Sequence, residues 1–213
     1  MPRTLPSRVF LLSPARLDGE RARLLFRPVT MFPIAAALRS PEGASIGEVF
    51  SFLSGLYFRG KLAYADAFAR APKGLEGGTF VITTNCGLVP ASTRVRLDDL
   101  GRLAQGSIDR SSEAFCGPLR RDAEMLAQAL GPRGEPVLLG SIATAKYVDV
   151  LLSVFEGRLL FPAEFVGRGD MSRGGLMLRR VDEGAELTYV PVRGAVRRGV
   201  RPPKLPPRGC TSG

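Results

Sequence analysis

The sequence has no histidine, few cysteines and no long apolar run, and each shortage excludes a class of protein. Without histidine there is no Ser-His-Asp triad, no Cys-His pair and no His-ligated metal site. The three cysteines, Cys86, Cys116 and Cys210, lie far apart and form no CxxC motif, so we expect a reducing environment and neither zinc nor disulfides. The apolar run at residues 9–12 is too short for a signal peptide or a membrane span. We therefore predict a cytoplasmic protein without metal or cofactor.

Positive charge is what the chain has in excess. Its 213 residues include 30 Lys+Arg against 20 Asp+Glu, a formal net charge of +10. Such an excess attracts the phosphates of nucleic acids, nucleotides or lipid headgroups. We predict a nucleic acid or a phosphate-bearing small molecule as the partner, and no association with a membrane.

Strands and helices alternate along the first 155 residues. Buried strands are predicted at residues 7–13, 79–83 and 136–139, where short apolar runs end in turn residues. The pattern predicts an α/β fold, a single domain with a mostly parallel central sheet flanked by helices. Helices are predicted at residues 18–26, 30–38, 56–71, 97–103, 119–130 and 143–155, further strands at 158–161, 175–179 and 187–192, and residues 48–53 fit either structure.

The last 21 residues differ in composition from the rest. Residues 193–213 contain six basic residues and four prolines but no acid, so they cannot build a core. We divide the chain into an α/β domain at residues 1–192 and a flexible, basic, proline-rich C-terminal tail. The tail is either a solubilising end or an arm that contacts phosphates through Arg197, Arg198, Arg201 and Lys204.

Three predicted strands end in polar or glycine-containing turns. These turns hold Ser13 and Arg16, Asn85, and Gly140 with Ser141. Ligands of open α/β sheets bind beyond the carboxyl ends of the strands, so we expect the turns to meet at one rim of the sheet. Taken singly, each is an ordinary strand–helix turn.

Of the three turns, the one at residues 140–146 gives the most specific indication of a ligand site. Gly140 permits close approach of a ligand, and a helix starting near residue 143 would present free N–H groups to an anion. Ser141 or Thr144 would donate a hydrogen bond or cap that helix, and Lys146 would contact phosphate. Simple capping is the alternative.

The helix at residues 56–71 carries a second stripe beside its apolar face. Tyr57, Lys61, Tyr64 and Phe68 interleave aromatic rings with a lysine, an arrangement that can stack a base and hold its phosphate. The alternative is a wide core stripe with a lysine that extends towards water.

Residues 167–175, GRGDMSRGG, are predicted to form a loop that wraps a ligand. Arg168 and Arg173 would bind its phosphate or carboxylate. Asp170 is the candidate general base or water-orienting group, because no histidine can serve. The alternative is a long hairpin connection whose glycines adopt positive φ.

Four short motifs, in order, resemble the YaaA-like (peroxide-stress) family and its uncharacterised relatives. They are LSPAR at residues 12–16, similar to LSPAK in that family, LYFRGKL at 56–62, VITTNCGLVP at 81–90 and LGSIATAKY at 139–147. The resemblance implies a compact α/β protein associated with DNA binding and protection from oxidative damage. The loop at residues 167–175 and the tail have no counterpart. The rim implied by the resemblance comprises Ser13, Arg16, Tyr57, Asn85, Gly87, Ser141 and Tyr147.

Three functions remain open from the sequence. The first is a protein that binds DNA or a nucleotide-like ligand at the sheet rim. The second is an enzyme that acts on a nucleobase or an N-glycosidic bond, in which Asp170 orients water and Asn85 reads a polar edge. The third is a scaffold that binds a partner without catalysis.

Overall fold

The computed structural model describes residues 5–29, 32–143 and 145–205. In chain order the strands are β1 Arg8–Leu12, β2 Ala44–Ser45, β3 Thr79–Ile82, β4 Leu88–Pro90, β5 Arg94–Val95, β6 Glu135–Leu139, β7 Leu160–Pro162 and β8 Tyr189–Pro191. Six of them form one sheet in the order β4-β3-β1-β6-β7-β8, in which β1, β3, β6 and β7 are parallel and the edge strands β4 and β8 run antiparallel to their neighbours. Strands β2 and β5 form a separate antiparallel pair.

Helices cover both faces of the sheet, because successive residues of the central strands point to opposite sides. The helices are α1 Glu20–Phe26, α2 Pro33–Arg39, α3 Ile46–Ser54, α4 Leu56–Phe68, α5 Leu97–Gln105, α6 Glu113–Leu130, α7 Val148–Phe155 and α8 Asp170–Glu183. On β1, Phe10 and Leu12 belong to the core beneath α3, α4 and α8, whereas Val9 and Leu11 belong to the core beneath α6 and α7. The α/β fold is thereby confirmed.

The segment predicted as a glycine-rich loop is helical, and this prediction was wrong. From Asp170 onwards it forms α8, which also includes the residues 175–179 predicted as a strand. Gly174, one of its four glycines, serves packing between helices. A Cβ on Gly174 would lie 2.6 Å from the Leu56 carbonyl oxygen, and one on Gly60 would lie 2.6 Å from the Gly174 carbonyl oxygen. Glycine at both positions therefore lets the backbones of α4 and α8 touch.

The turn after β6 also differs from the prediction. The helix that follows begins at Val148, with Tyr147 as its N-cap, and not near residue 143. Because Gly140 and Ser141 precede that helix by several residues, the prediction that they form a helix N-terminus is wrong. Thr144 lies outside the described residues.

Two local signals settle other boundaries. Residues 48–53 belong to α3, which starts with a capping box in which Ser45 accepts from the Glu48 amide and Glu48 accepts from the Ser45 amide. The first helix starts at Glu20, with Gly19 as its N-cap, and not at residue 18. In the described part of the chain, no helix is long and apolar enough to cross a lipid bilayer.

Candidate active site at the sheet rim

The central strand β1 ends at a buried contact between Ser13 and Lys61. Lys61 extends from α4 under the carboxyl end of the strand, where its Nζ lies 2.5 Å from the Ser13 carbonyl oxygen and 3.0 Å from Ser13 Oγ. Lys61 keeps only 1% of its surface exposed and Ser13 only 8%. A lysine this buried is uncommon unless it is paired with an acid.

The surroundings of Lys61 are aromatic. Its Nζ lies 4.3 Å from the ring centroid of Tyr57 and 4.7 Å from that of Phe58. Within residues 5–29, 32–143 and 145–205, no carboxylate lies at ion-pair distance from it. Burial lowers the pKa of Lys61 to about 7, Asp170 opposes the shift and Arg173 adds to it. Desolvation disfavours the ammonium form, so the neutral amine is well populated near neutral pH.

The loop after β6 closes over the same point. The Tyr147 hydroxyl donates to the Ser141 carbonyl oxygen at 3.0 Å. Burial raises the pKa of Tyr147, and its hydrogen bond with Ser13 partly offsets that rise. A Cβ on Gly140 would lie 2.8 Å from the Tyr147 hydroxyl oxygen and 2.9 Å from Ser13 Cβ. Gly140 therefore leaves the space that Ser13 and Tyr147 occupy.

The start of α8 supplies charge to this cluster. Arg173 is mostly buried and donates from Nε and Nη2 to the Phe165 carbonyl oxygen at 3.2 and 3.1 Å, while Asp170 is exposed and lies 3.6 Å from Arg173 Nη1. Both charges act on Tyr57, whose pKa is raised mainly by burial. Its hydroxyl is buried without a well-formed hydrogen bond. We call these residues the rim cluster: Ser13, Tyr57, Lys61, Gly140, Ser141, Tyr147, Asp170 and Arg173.

Four other predicted site residues lie outside the rim cluster, where they contact other groups or are exposed. Arg16 is exposed and pairs with Asp18, with Nη2 and Oδ2 2.8 Å apart. The Asn85 amide donates to the Arg102 carbonyl oxygen at 2.8 Å. Lys146 is exposed on the loop before α7. Gly87 has φ of 69° and packs against α6, since a Cβ there would lie 2.1 Å from a carboxylate oxygen of Asp122. The structure thus brings together part of the predicted rim.

A basic groove lies beside the start of α8. It has a volume of about 350 Å³, and its two walls are the start of α8 and the described part of the tail. Arg168 is held there by hydrogen bonds from Nε to the Glu164 carbonyl oxygen and from Nη1 to Ser172 Oγ. The groove is lined by Arg168, Gly169, Met171, Ser172, Gly175, Arg179, Arg201, Pro202, Pro203, Lys204 and Leu205.

The tail lies against the domain up to residue 205. The Val200 carbonyl oxygen lies so close to Gly167 that a Cβ there would be 2.1 Å away, and Leu205 packs against the core that contains α8. Arg197 and Arg198 are exposed. The described part of the tail therefore forms a wall of the basic groove, and it places Arg201 and Lys204 on the same groove as Arg168.

Sequence reasoning placed Ser13 and Lys61 at the site but did not foresee their contact. The signal was a lysine within the stripe of aromatic residues on the helix at residues 56–71. A lysine at such a position either extends to water or is enclosed, and the pattern favoured the first. In the structure the lysine is enclosed, because α8 packs on α4.

No family model, curated protein or solved structure matches this chain. The resemblance to the YaaA-like family therefore stays a prediction that rests on the four motifs of the sequence. Together, fold and site define an α/β protein with a buried lysine at the carboxyl edge of its central strand. In the described part of the chain, no cluster of three or more Cys, Asp or Glu side chains could hold a metal ion.

Proposed function

We propose that this protein binds a nucleic acid or another phosphate-bearing ligand, with its phosphates in the basic groove beside the sheet rim. The observation that carries the proposal is the charge of the groove. Among the described residues that line it, every charged side chain is a cation: Arg168, Arg179, Arg201 and Lys204. Clustered arginines and lysines on one surface are the electrostatic footprint of phosphate binding.

The geometry of the groove also favours phosphate. The first turn of α8 begins after Gly169, and the unpaired N–H groups of a helix start attract negative charge. Arg168 is already oriented by the Glu164 carbonyl and Ser172, so less of its side-chain entropy is lost when a ligand binds. Exposed Met171 and the prolines of the tail add apolar surface against which a sugar or base can pack.

Removing the two cations that the tail contributes should weaken binding and flatten its dependence on salt. We expect Arg201→Ala/Lys204→Ala to bind a labelled oligonucleotide more weakly than the wild type in fluorescence anisotropy. On duplex DNA, the slope of log K against log salt concentration should fall by about 0.9 for each phosphate that the variant no longer neutralises.

The matched control is Arg120→Ala/Arg133→Ala, which removes two exposed arginines from α6 and the turn that follows it, on the other face of the sheet. It lowers net charge equally but should leave the slope near that of the wild type. Equal slopes for the wild type and the tail variant, or an equal decrease in the control, would contradict a role for the groove. Binding of inorganic phosphate or a mononucleotide alone would assign it to small ligands.

A further inference from the structure

The contact between Ser13 and Lys61 joins a hydroxyl and an amine within the reach of a general base. Their Oγ and Nζ atoms are 3.0 Å apart, inside the range of about 2.6 to 3.2 Å that proton transfer needs. The pair stands at the carboxyl end of the central parallel strand, the edge at which α/β proteins bind their ligands. Nothing in the nucleic-acid proposal uses this pair.

The contacts of Lys61 allow it to act as a base when its amine is neutral. Nζ donates to the Ser13 carbonyl oxygen at 2.5 Å, because a carbonyl oxygen can only accept. As an ammonium group, Nζ also donates to Ser13 Oγ at 3.0 Å, and the Ser13 hydroxyl donates to the Leu139 carbonyl oxygen at 3.4 Å. As a neutral amine, Nζ has a lone pair that can accept the proton of Ser13 Oγ.

The groups around Lys61 are consistent with this protonation state. Tyr57 faces it from α4, Tyr147 reaches the same point from the loop before α7, and Asp170 and Arg173 act on it from α8. Burial is the dominant influence and lowers the pKa of Lys61 to about 7, with Asp170 opposing. At neutral pH a large fraction of the protein therefore holds a lysine able to take a proton.

We propose that Ser13 is a nucleophile for acyl transfer and that Lys61 is the general base that activates it. Serine–lysine pairs of this kind perform the task that histidine performs in the usual triad, and this chain has no histidine. The burial of the two residues is in keeping with these roles: Lys61, at 1% exposed, is the more enclosed and is assigned the base, and Ser13, at 8%, is assigned the nucleophile.

The reaction balances with water as the only co-reactant. Ser13 Oγ bonds to the carbonyl carbon of an ester as its proton passes to Lys61 Nζ, and the carbonyl oxygen takes the electron pair. When the carbonyl re-forms, the bond to the leaving alcohol breaks, and the alcohol departs with the proton from Lys61. Water then attacks the acyl-serine, gives one proton to Lys61, and releases a carboxylic acid as that proton returns to Ser13.

Two neighbours bear on the substrate and the geometry. Tyr147 is a positioning residue, because its hydroxyl is fixed by donating to the Ser141 carbonyl oxygen and packs beside Ser13 over Gly140. Arg173 is mostly buried and paired with Asp170, so it does not select for charge. The substrate class is therefore an ester.

A fluorophosphonate probe tests the pair directly, because an activated serine displaces its fluoride and keeps the phosphonyl group. After digestion, peptide mapping of the wild type should show the adduct on Ser13. Its rate of formation should rise with pH through an inflection near pH 7. Lys61→Met should lower the rate by about 100-fold or more, the scale of general-base catalysis.

The control is Lys73→Met, which removes an exposed lysine outside the rim cluster and should label at the wild-type rate. Circular dichroism establishes that each variant is folded. Should Lys61→Met fail to fold, the pH profile of wild-type labelling and Tyr147→Phe, expected to label several-fold more slowly, test the same proposal. Labelling confined to other serines, no labelling of folded wild type, or an unchanged rate in Lys61→Met would overturn it.

Discussion

Replacing Gly174 with alanine should lower the free energy of unfolding by about 2 to 3 kcal/mol, the cost of overpacking a tight contact. The new methyl group would lie 2.6 Å from the Leu56 carbonyl oxygen and 2.9 Å from Tyr57 Cα, which are backbone atoms that no rotamer change can move. Helices α4 and α8 would have to separate, and the shift would reach Tyr57 and Lys61. Urea unfolding followed by circular dichroism measures the decrease.

Gly175 is the matched control for this substitution, since it lies in the same helix one residue further on. A Cβ there would meet only Leu205 Cδ1, at 3.8 Å, which is ordinary contact. Because alanine favours a helix over glycine by up to about 1 kcal/mol, Gly175→Ala should leave stability unchanged or raise it. If the two variants unfold at the same urea concentration, the close approach of α4 and α8 is not what requires Gly174.

The stability of the wild type should rise with pH relative to Lys61→Met, by roughly 3 kcal/mol between about pH 7 and pH 10. The pKa of Lys61 is about 7 in the folded chain and near 10.5 when the side chain is free in water. Between these values the unfolded chain binds the proton and the folded chain does not, so raising the pH favours the folded state. Below pH 7 both states are protonated and the difference levels off.

Urea titrations of both proteins at several pH values measure this difference. The tyrosines with raised pKa, Tyr64 and Tyr189 among them, titrate in both proteins, so subtracting the two curves isolates Lys61. Lys73→Met removes an exposed lysine and should follow the wild-type curve. If the curves for the wild type and Lys61→Met run parallel from pH 7 to pH 10, Lys61 keeps its ordinary pKa. That result would contradict a neutral amine at neutral pH.

The strands of the sheet could be predicted because buried strands have a recognisable apolar sequence. Residues 8–12, 79–82 and 135–139 are continuous or nearly continuous apolar runs, as expected of strands covered on both faces. Their order in the sheet could not be predicted, because the sequence of one strand does not show which distant strand pairs with it. The turn at Gly140 was misread for a related reason: the apolar residues that follow it fit a helix from residue 143, whereas Tyr147 turns back to Ser141 and delays the helix to Val148.

Helix α8 was missed because glycine usually marks a turn. Four glycines between residues 167 and 175 predict a loop on local preference alone, yet two of them lie inside a helix. The gain that outweighs their poor helix propensity is tertiary, since Gly174 lets α8 touch α4. The contact between Ser13 and Lys61 depends on that same packing, so sequence reasoning named both residues without joining them.

The pairing of β1 sets the order in which the site is completed during synthesis. Ser13 emerges early, but β1 lies between β3 and β6, and Leu12 pairs with Leu139, which is made much later. Until β6 leaves the ribosome, β1 has one bare edge, and until α8 follows, the pocket of Lys61 is open to water. A nascent chain halted before residue 170 should therefore hold an ordinary, charged lysine, and the chemistry of the rim should begin only when nearly the whole domain has been made.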